Sequence, residues 1–271
     1  MATVKISSDN TALLSALSGT PADGDTVYID RYATDFASAD LSAYDLALVE
    51  LSRGYRGRIA SGAGGARLKL VCNRTSTGIF RNRSNSPRVE LISTSSAGVI
   101  YNIVQSAEGG VLQVDTCDNE KMHALKGTLL AESGADVNKA YCYPGASLLL
   151  RAAAYTVGNL YALGGVCNVQ RDLTNADIAG NSEVTFEHAN VSPSGTTNLW
   201  SGKLKIIESG IVSQLNAYSG VIDLTDLRNP VTFSNRTATP AVTILLSRNT
   251  PTVTWSATAD LDSGPVTVYV D

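Results

Sequence analysis

The chain has 271 residues, of which 44% are hydrophobic and 17% are charged, with a formal net charge of −4. This composition is too apolar for an intrinsically disordered protein, and no apolar run approaches the roughly 18 residues that indicate a transmembrane helix. The segment from Met1 to Ile6 lacks the apolar core of a signal peptide, so we expect no secretory export and no membrane partner.

The first elements predicted along the chain are a short strand and a short helix. Thr3–Ile6 reads as a strand, and residues 9–18 predict a helix that Ser7 or Ser8 caps. We therefore assign residues 1–21 to an N-terminal segment of one strand and one helix.

From residue 22 onward the chain consists of short aliphatic runs separated by Gly, Asn and Ser. Turn residues separate these runs at intervals of roughly 10 to 20 residues, which is the spacing of short strands. Such a strand cannot bury its apolar side alone, whereas stacked coils build continuous apolar ladders. We predict a right-handed parallel β-helix over residues 22–239. The runs include Leu46–Val49, Val111–Val114, Leu148–Leu150, Leu204–Ile207 and Val242–Leu246.

Two segments, residues 127–150 and 202–224, share one order of features. Each has Gly, an aliphatic strand, Glu-Ser-Gly, a polar stretch with Tyr, a second Gly and a second aliphatic strand. The matched glycines, Gly145 and Gly220, are expected at corners where the backbone turns with positive φ. The alternation predicts that Leu204 faces inward while its lysine neighbours face outward.

The tail of the chain differs because prolines punctuate three predicted strands between residues 240 and 271. The end of a solenoid is an exposed sheet edge that must be covered. We predict a small antiparallel C-terminal cap over residues 240–271. The apolar residues of its last strand, Val266, Val268 and Val270, are expected to be hidden in an oligomer.

A β-sandwich or jelly roll is the alternative fold, because it also gives short strands with turn signals every 8–12 residues or so. The aromatic content of 6% favours the solenoid, since sandwich cores usually depend on Trp, Tyr and Phe.

Charge is unevenly distributed along the chain. Residues 1–50 carry a net charge of −6, residues 51–89 carry +9 without a single acid, and residues 90–271 carry −7. The basic segment either pairs with the acidic first segment of the same fold or docks on an acidic partner surface. No nucleic-acid-binding pattern accompanies it. The arginines predicted to bind a partner are Arg53, Arg56, Arg58, Arg81, Arg83 and Arg88.

The cysteines give no metal motif. Cys72, Cys117, Cys142 and Cys167 form no CxxC pair, and the chain has only two histidines, so no zinc site is expected. The last three are evenly spaced, which predicts similar positions on successive coils as small buried residues. Disulfides between neighbouring coils are the alternative.

Catalytic motifs are also missing from the sequence. There is no P-loop, GxGxxG, HExxH or GxSxG motif. Candidate carboxylate pairs for glycoside cleavage are Glu132 with Asp136 and Glu183 with Glu187, but their spacing does not single them out. We therefore predict a protein that is not an enzyme, with no catalytic residue, cofactor or metal.

The N-terminal third resembles a known family in the order of its motifs. Pro21-Ala-Asp-Gly-Asp-Thr-Val-Tyr-Ile29 is followed by residues 40–49, by Gly54-Tyr-Arg-Gly-Arg-Ile59 and by Leu68-Lys-Leu70. This order is similar to that of β-helical virion proteins of tailed bacteriophages, in particular trimeric capsid decoration (cement) proteins. Residues 99–233 share only the general strand pattern.

The resemblance implies a non-enzymatic structural protein that forms a homotrimer and binds the major capsid protein. It implies synthesis in the cytoplasm of a bacterial host and a place on the capsid exterior of the virion, where binding would stabilise the phage head. The same folds serve tail fibres and spikes, so an adhesin that recognises host surface glycan is the alternative. An adhesin should show exposed aromatic residues, and an enzyme should show converging carboxylates.

Overall fold

In the computed structural model, the described residues are 3–6, 22–29, 39–40, 46–55, 68–69, 78–84, 88–92, 99–191, 195–208, 211–238, 241–255 and 267–270. Within these ranges the chain is all-β, with 23 strands and no helix. The chain forms two compact units, Met1–Val137 and Asn138–Asp271. The predicted helix over residues 9–18 lies outside the described residues.

The first unit contains nine complete strands and the start of a tenth. They are β1 (Thr3–Ile6), β2 (Thr26–Ile29), β3 (Ala39–Asp40), β4 (Leu48–Leu51), β5 (Leu68–Lys69), β6 (Ile79–Asn82), β7 (Arg88–Ile92), β8 (Val99–Gln105), β9 (Val111–Ala124) and β10 (Gly127–Cys142). One stack of parallel strands runs from β1 through β2, β4, β6 and β8 to the second half of β9. A second stack joins β3, β5, β7 and the first half of β9.

The second unit repeats this arrangement with more regular coils. Its strands are the end of β10, β11 (Ala146–Leu150), β12 (Val157–Ala162), β13 (Val166–Val169), β14 (Leu173–Ile178), β15 (Glu183–Phe186), β16 (Thr196–Leu199), β17 (Lys203–Ile206), β18 (Ile211–Ala217), β19 (Gly220–Asp223), β20 (Val231–Ala238), β21 (Val242–Leu246), β22 (Val253–Trp255) and β23 (Thr267–Val270). Each strand pairs in parallel with the strand two positions later, so each coil contributes one strand to each of two stacks.

The core of each unit consists of ladders of inward-facing aliphatic residues. In the second unit, Leu204 lies between Val184 and Ile222 in register, and all three are fully buried. Lys203 and Lys205 face outward and are partly exposed. The predicted alternation in this strand is therefore confirmed, and the parallel β-helix is the fold of the described strands.

Corner glycines allow the coils to approach closely. Gly145 and Gly220, matched in the sequence comparison, both have positive φ, at 79° and 102°. A Cβ atom on Gly202 would lie 2.5 Å from the carbonyl oxygen of Ser182, and one on Gly220 would lie 2.4 Å from that of Gly202. Both contacts are far below van der Waals distance, so only glycine fits these corners without displacing the backbone.

The direction of strand pairing tests two sequence-based predictions, the C-terminal cap and the alternative fold. The predicted antiparallel cap at residues 240–271 is wrong, because β21, β22 and β23 pair in parallel with β19, β20 and β21 and continue the stacks. The prolines indicated turns between these strands, but a turn alone does not determine whether the strands pair in parallel. Parallel pairing requires the chain to cross the coil before it returns to the same stack. The β-sandwich alternative is excluded for the described strands, since the strand pairs that build the stacks are parallel.

Candidate functional site

Three of the six arginines predicted to bind a partner have described side chains. Arg53, Arg81 and Arg83 all belong to the first unit, and the structure brings them to one side of it. The side chains of the other three are not among those described. These are Arg56, Arg58 and Arg88.

Glu50 holds two of these arginines in place. It lies opposite Arg81 in the register of β4 and β6, and Arg83 projects to the same side two residues later. One Nη atom of Arg81 donates to Oε2 of Glu50 and one Nη atom of Arg83 donates to Oε1, each at 3.1 Å. The carboxylate of Glu50 thus bridges both guanidinium groups.

This bridge combines a buried carboxylate with exposed cations. The Glu50 side chain is 9% exposed, whereas those of Arg81 and Arg83 are 37% and 48% exposed. Burying a carboxylate is unfavourable unless it is paired, so the arginines satisfy Glu50. Glu50 belongs to the acidic first segment, and the charges of the two segments therefore pair within one folded unit at this point.

Arg83 also borders a depression of about 360 Å³ that we call the basic recess. Lys126 pairs with Glu108 across this recess. The hydrogen bond and the charge of Lys126, with a smaller contribution from Arg53, hold the pKa of the Glu108 carboxyl below its ordinary value. The basic recess is lined by Arg53, Arg83, Ser106, Ala107, Glu108, Leu125 and Lys126.

A second depression of about 470 Å³ adjoins the basic recess and shares Arg83, Ser106 and Leu125 with it. Arg81 and His123 contribute to its lining. Burial, and to a lesser extent the charge of Lys121, lowers the pKa of His123, which favours the neutral imidazole.

The charges around the two depressions favour an anionic partner. Arg53, Arg81, Arg83 and Lys126 supply four positive charges, and Glu50 and Glu108 supply two negative ones. The surplus is two positive charges around recesses with room for side chains of a partner. Sequence analysis did not single out Lys126 or Glu108, which lie far from the basic segment and reach it only through stacking of the coils.

Buried amides support the corner that carries Arg83. Nδ2 of Asn82 donates to Oε1 of Gln105 at 2.8 Å, and both residues are fully buried. The backbone N–H and the hydroxyl of Ser84 donate to Oδ1 of Asn82 at 3.0 and 2.7 Å. Nε2 of Gln105 donates to the carbonyl of Gly110 at 2.9 Å. These bonds fix the backbone on both sides of Arg83.

The candidate carboxylates Glu183 and Glu187 are held by separate partners. Glu183 pairs with Lys203 at 4.0 Å, whereas Glu187 accepts hydrogen bonds from Asn168 and Gln170 at 3.0 and 2.9 Å. Those bonds, first from Gln170 and then from Asn168, lower the pKa of Glu187. Glu187 is therefore a carboxylate at neutral pH, which suits it to accept rather than to donate a proton.

Within the described part of the chain, no cluster of three or more His, Cys, Asp or Glu residues has the arrangement of a metal site. In the same ranges no helix has the length and hydrophobicity required to span a membrane. Cys142 and Cys167 are buried and free, rather than joined in a disulfide.

Comparison of the chain with known protein families, with curated proteins and with solved structures finds no match.

Proposed function

We propose that the protein is a non-enzymatic structural virion protein of a tailed bacteriophage, a capsid decoration protein that binds and stabilises the phage head from outside. The motif order of the first third and the parallel β-helix fold support this proposal. Binding to the assembled shell, and not to free capsid subunits, would stabilise the shell by mass action.

The observation that carries the proposal is the basic recess. Its surplus positive charge suits an acidic surface of the major capsid protein, and its walls are fixed by the buried amides behind Arg83. Arg53 is exposed and is the arginine best placed to contact such a surface. Arg81 and Arg83 contribute charge while they remain bonded to Glu50.

The exposed last strand supports self-association, and the resemblance to trimeric decoration proteins supports three copies. Val268 and Val270 follow Ile244 and Leu246 in register, at positions that are inward in earlier coils, yet they are 50% and 62% exposed. No described strand pairs with the other edge of β23 (Thr267–Val270). Copies of the same chain would cover this apolar rung. Val266, the third residue expected to be hidden in the oligomer, lies outside the described residues.

The test is binding of purified protein to undecorated phage heads, measured by co-sedimentation at several salt concentrations. Reversal of the two cations of the recess that are not bonded to Glu50, Arg53→Glu with Lys126→Glu, should weaken binding at least tenfold and leave folding intact. Wild-type binding should fall as salt rises, because exposed charges are screened beyond about 8–10 Å at physiological ionic strength.

A matched control reverses a cation of the second unit, Arg248→Glu, which lies outside the basic recess. This variant should bind as the wild type does. Salt-independent binding, or equal binding by the Arg53/Lys126 variant and the wild type, would overturn the docking role of the recess. A monomer at micromolar concentration in light scattering would overturn the trimer.

A further inference from the structure

One corner of the second unit carries a column of side chains, one from each successive coil. The backbone N–H groups of Leu163, Ala179, Trp200 and Tyr218 each donate to a carbonyl of the preceding coil at 2.8 Å. The register of the flanking strands places these residues directly above one another. We call them the corner column.

The upper part of the corner column is an aromatic stack. The rings of Trp200 and Tyr218 lie 4.3 Å apart at an interplanar angle of 8°. Trp200 is 48% exposed and Tyr218 is 38% exposed, so this pair presents a large apolar surface to solvent. Tyr218 covers one face of the indole of Trp200.

The other face of Trp200 looks onto a gap in the column. Ala179 occupies the next rung, and its side chain ends at Cβ, while Gly180 beside it is exposed. Leu163, one rung further, is 38% exposed. The column therefore has a notch, floored by Ala179 and bounded by Trp200 and Leu163.

The distance between the two walls of the notch, Trp200 and Leu163, leaves room for about one ring. Strands in a sheet are about 4.8 Å apart, so Trp200 and Leu163 are separated by roughly 9–10 Å. A ring in contact with both walls needs about 3.5–4.0 Å on each side, or roughly 7–8 Å plus its own pucker. A puckered six-membered ring meets this requirement, whereas two stacked planar rings do not.

Asp177 forms the polar side of the notch, and a row of amides continues from it over the next two coils. Oδ1 of Asp177, on the same coil as Ala179, accepts hydrogen bonds from Nδ2 of Asn198 at 2.8 Å and from Nε1 of Trp200 at 3.4 Å. Oδ1 of Asn198 accepts from Nδ2 of Asn216 at 2.9 Å. Next to the notch, Asp177 has a second carboxylate oxygen and the amide of Asn198 has a second N–H, so both have the capacity to bond a ligand.

We propose that the notch binds a neutral pyranose unit of a glycan. The C–H groups of a pyranose form an apolar face that packs on the indole of Trp200, and its hydroxyls match the carboxylate of Asp177 and the amides beside it. Among the described residues no cation pairs with Asp177, so an acidic sugar would meet an uncompensated carboxylate. This site is distinct from the basic recess and does not depend on binding to capsids.

The experiment uses the full chain with Trp255→Phe. The sequence has two tryptophans, so Trp200 is the only one that remains in this variant. Maltohexaose, cellohexaose, mannohexaose and hexagalacturonate are titrated to 10 mM, and tryptophan fluorescence is followed. At least one neutral hexasaccharide should change the fluorescence saturably. Ala179→Leu, which fills the notch and leaves both aromatic rings in place, should weaken that binding at least tenfold.

Ala152→Leu is the matched control, because it adds the same side chain at an exposed alanine of the second unit outside the corner column. It should bind sugar as the parent does, and both variants should retain the parent melting temperature and circular dichroism spectrum. The proposal is overturned if no neutral hexasaccharide changes the fluorescence, if a folded Ala179→Leu variant binds as the parent does, or if hexagalacturonate binds as tightly as the best neutral sugar.

Discussion

Nδ2 of Asn82 donates to Oε1 of Gln105 across adjacent coils of the first unit, at 2.8 Å and without solvent exposure of either residue. Both occupy inward positions that hold Ile29 and Leu51 in the preceding coils. An amide ladder therefore continues an aliphatic one, and it holds the turns on which the basic recess is built.

Replacing Asn82 should therefore destabilise the fold more than its size suggests. In Asn82→Ala, the side-chain oxygen of Gln105 loses its donor, and the backbone N–H and hydroxyl of Ser84 lose their bonds to Oδ1. A buried polar group left unsatisfied costs about 1–3 kcal/mol. Urea unfolding should show this loss. Asn82→Ala combined with Gln105→Leu should recover part of it, and a strictly additive double variant would contradict the coupling.

The bridge made by Glu50 predicts that the arginines differ in how much they contribute to the free energy of unfolding. Arg81→Ala with Arg83→Ala should lower the free energy of unfolding by about 1–3 kcal/mol, because Glu50 stays buried without its donors. Arg53→Ala should change it by less than about 0.5 kcal/mol, as for most exposed residues. Chemical denaturation separates the two classes, and equal effects in both variants would contradict this role of Glu50.

Asp223 predicts an acid-dependent loss of stability. Burial would raise the pKa of its carboxyl, but hydrogen bonds from Lys203 at 2.7 Å and from Thr225 outweigh burial and hold it below 3.8. A lowered folded-state pKa adds stability above the unfolded value, and this contribution is lost as pH falls through the folded value. Asp223→Asn should be less stable than the wild type at pH 7 by about 1–2 kcal/mol.

This difference should shrink below about pH 4, near the pKa of an unfolded aspartate. Urea unfolding of both proteins at pH 7, 5 and 3 measures it. A difference that stays constant over this range would assign the effect to packing and not to ionisation.

Two corner glycines allow steric and conformational effects to be separated. Gly145 and Gly202 both have positive φ, at 79° and 89°. A Cβ atom would have no neighbour within 4 Å at Gly145, but at Gly202 it would lie 2.5 Å from the carbonyl oxygen of Ser182. Gly145→Ala should cost about 1–2 kcal/mol from backbone strain alone, and Gly202→Ala clearly more. Equal melting temperatures would show that the coils can separate locally.

Thiol chemistry should report on the packing of the second unit. A hydrogen bond with Cys142, together with burial, raises the pKa of the Cys167 thiol well above its ordinary value. A buried protonated thiol is a poor nucleophile. In a Cys72→Ser/Cys117→Ser variant, neither remaining thiol should react with a disulfide reagent at pH 8 until urea unfolds the protein. Rapid reaction without denaturant would contradict this packing.

The strand pattern was predictable because it depends on local alternation. Leu204 between two lysines has one apolar side wherever its strand is placed, so its burial followed from the sequence. The direction of pairing in the tail did not follow, since Val242–Leu246 alternates in the same way in parallel and in antiparallel sheets. The sequence predicts which side of a strand is buried, but not the neighbour that buries it.

The basic recess and the notch depend on contacts between coils. These contacts join residues that are far apart in the sequence, so the sequence alone does not indicate them. Arg83 reaches Glu108 and Lys126 only because successive coils stack, and the register that stacks them is set by loops of unequal length. The notch beside Trp200 has the same origin, because Ala179 is unremarkable in the sequence and becomes informative only between Leu163 and Trp200 in the corner column.

The parallel pairing of the second unit also determines how it carries mechanical load. Each described strand of this unit is bonded to the strand one coil before it, one coil after it, or both, so a pull on Val270 directed along the stack loads a single rung of hydrogen bonds at a time. Force would peel β23 from β21 before it strained the coils beneath. An assembly that clamps β23 would instead spread the same force over several rungs, and the second unit would resist extension as a body.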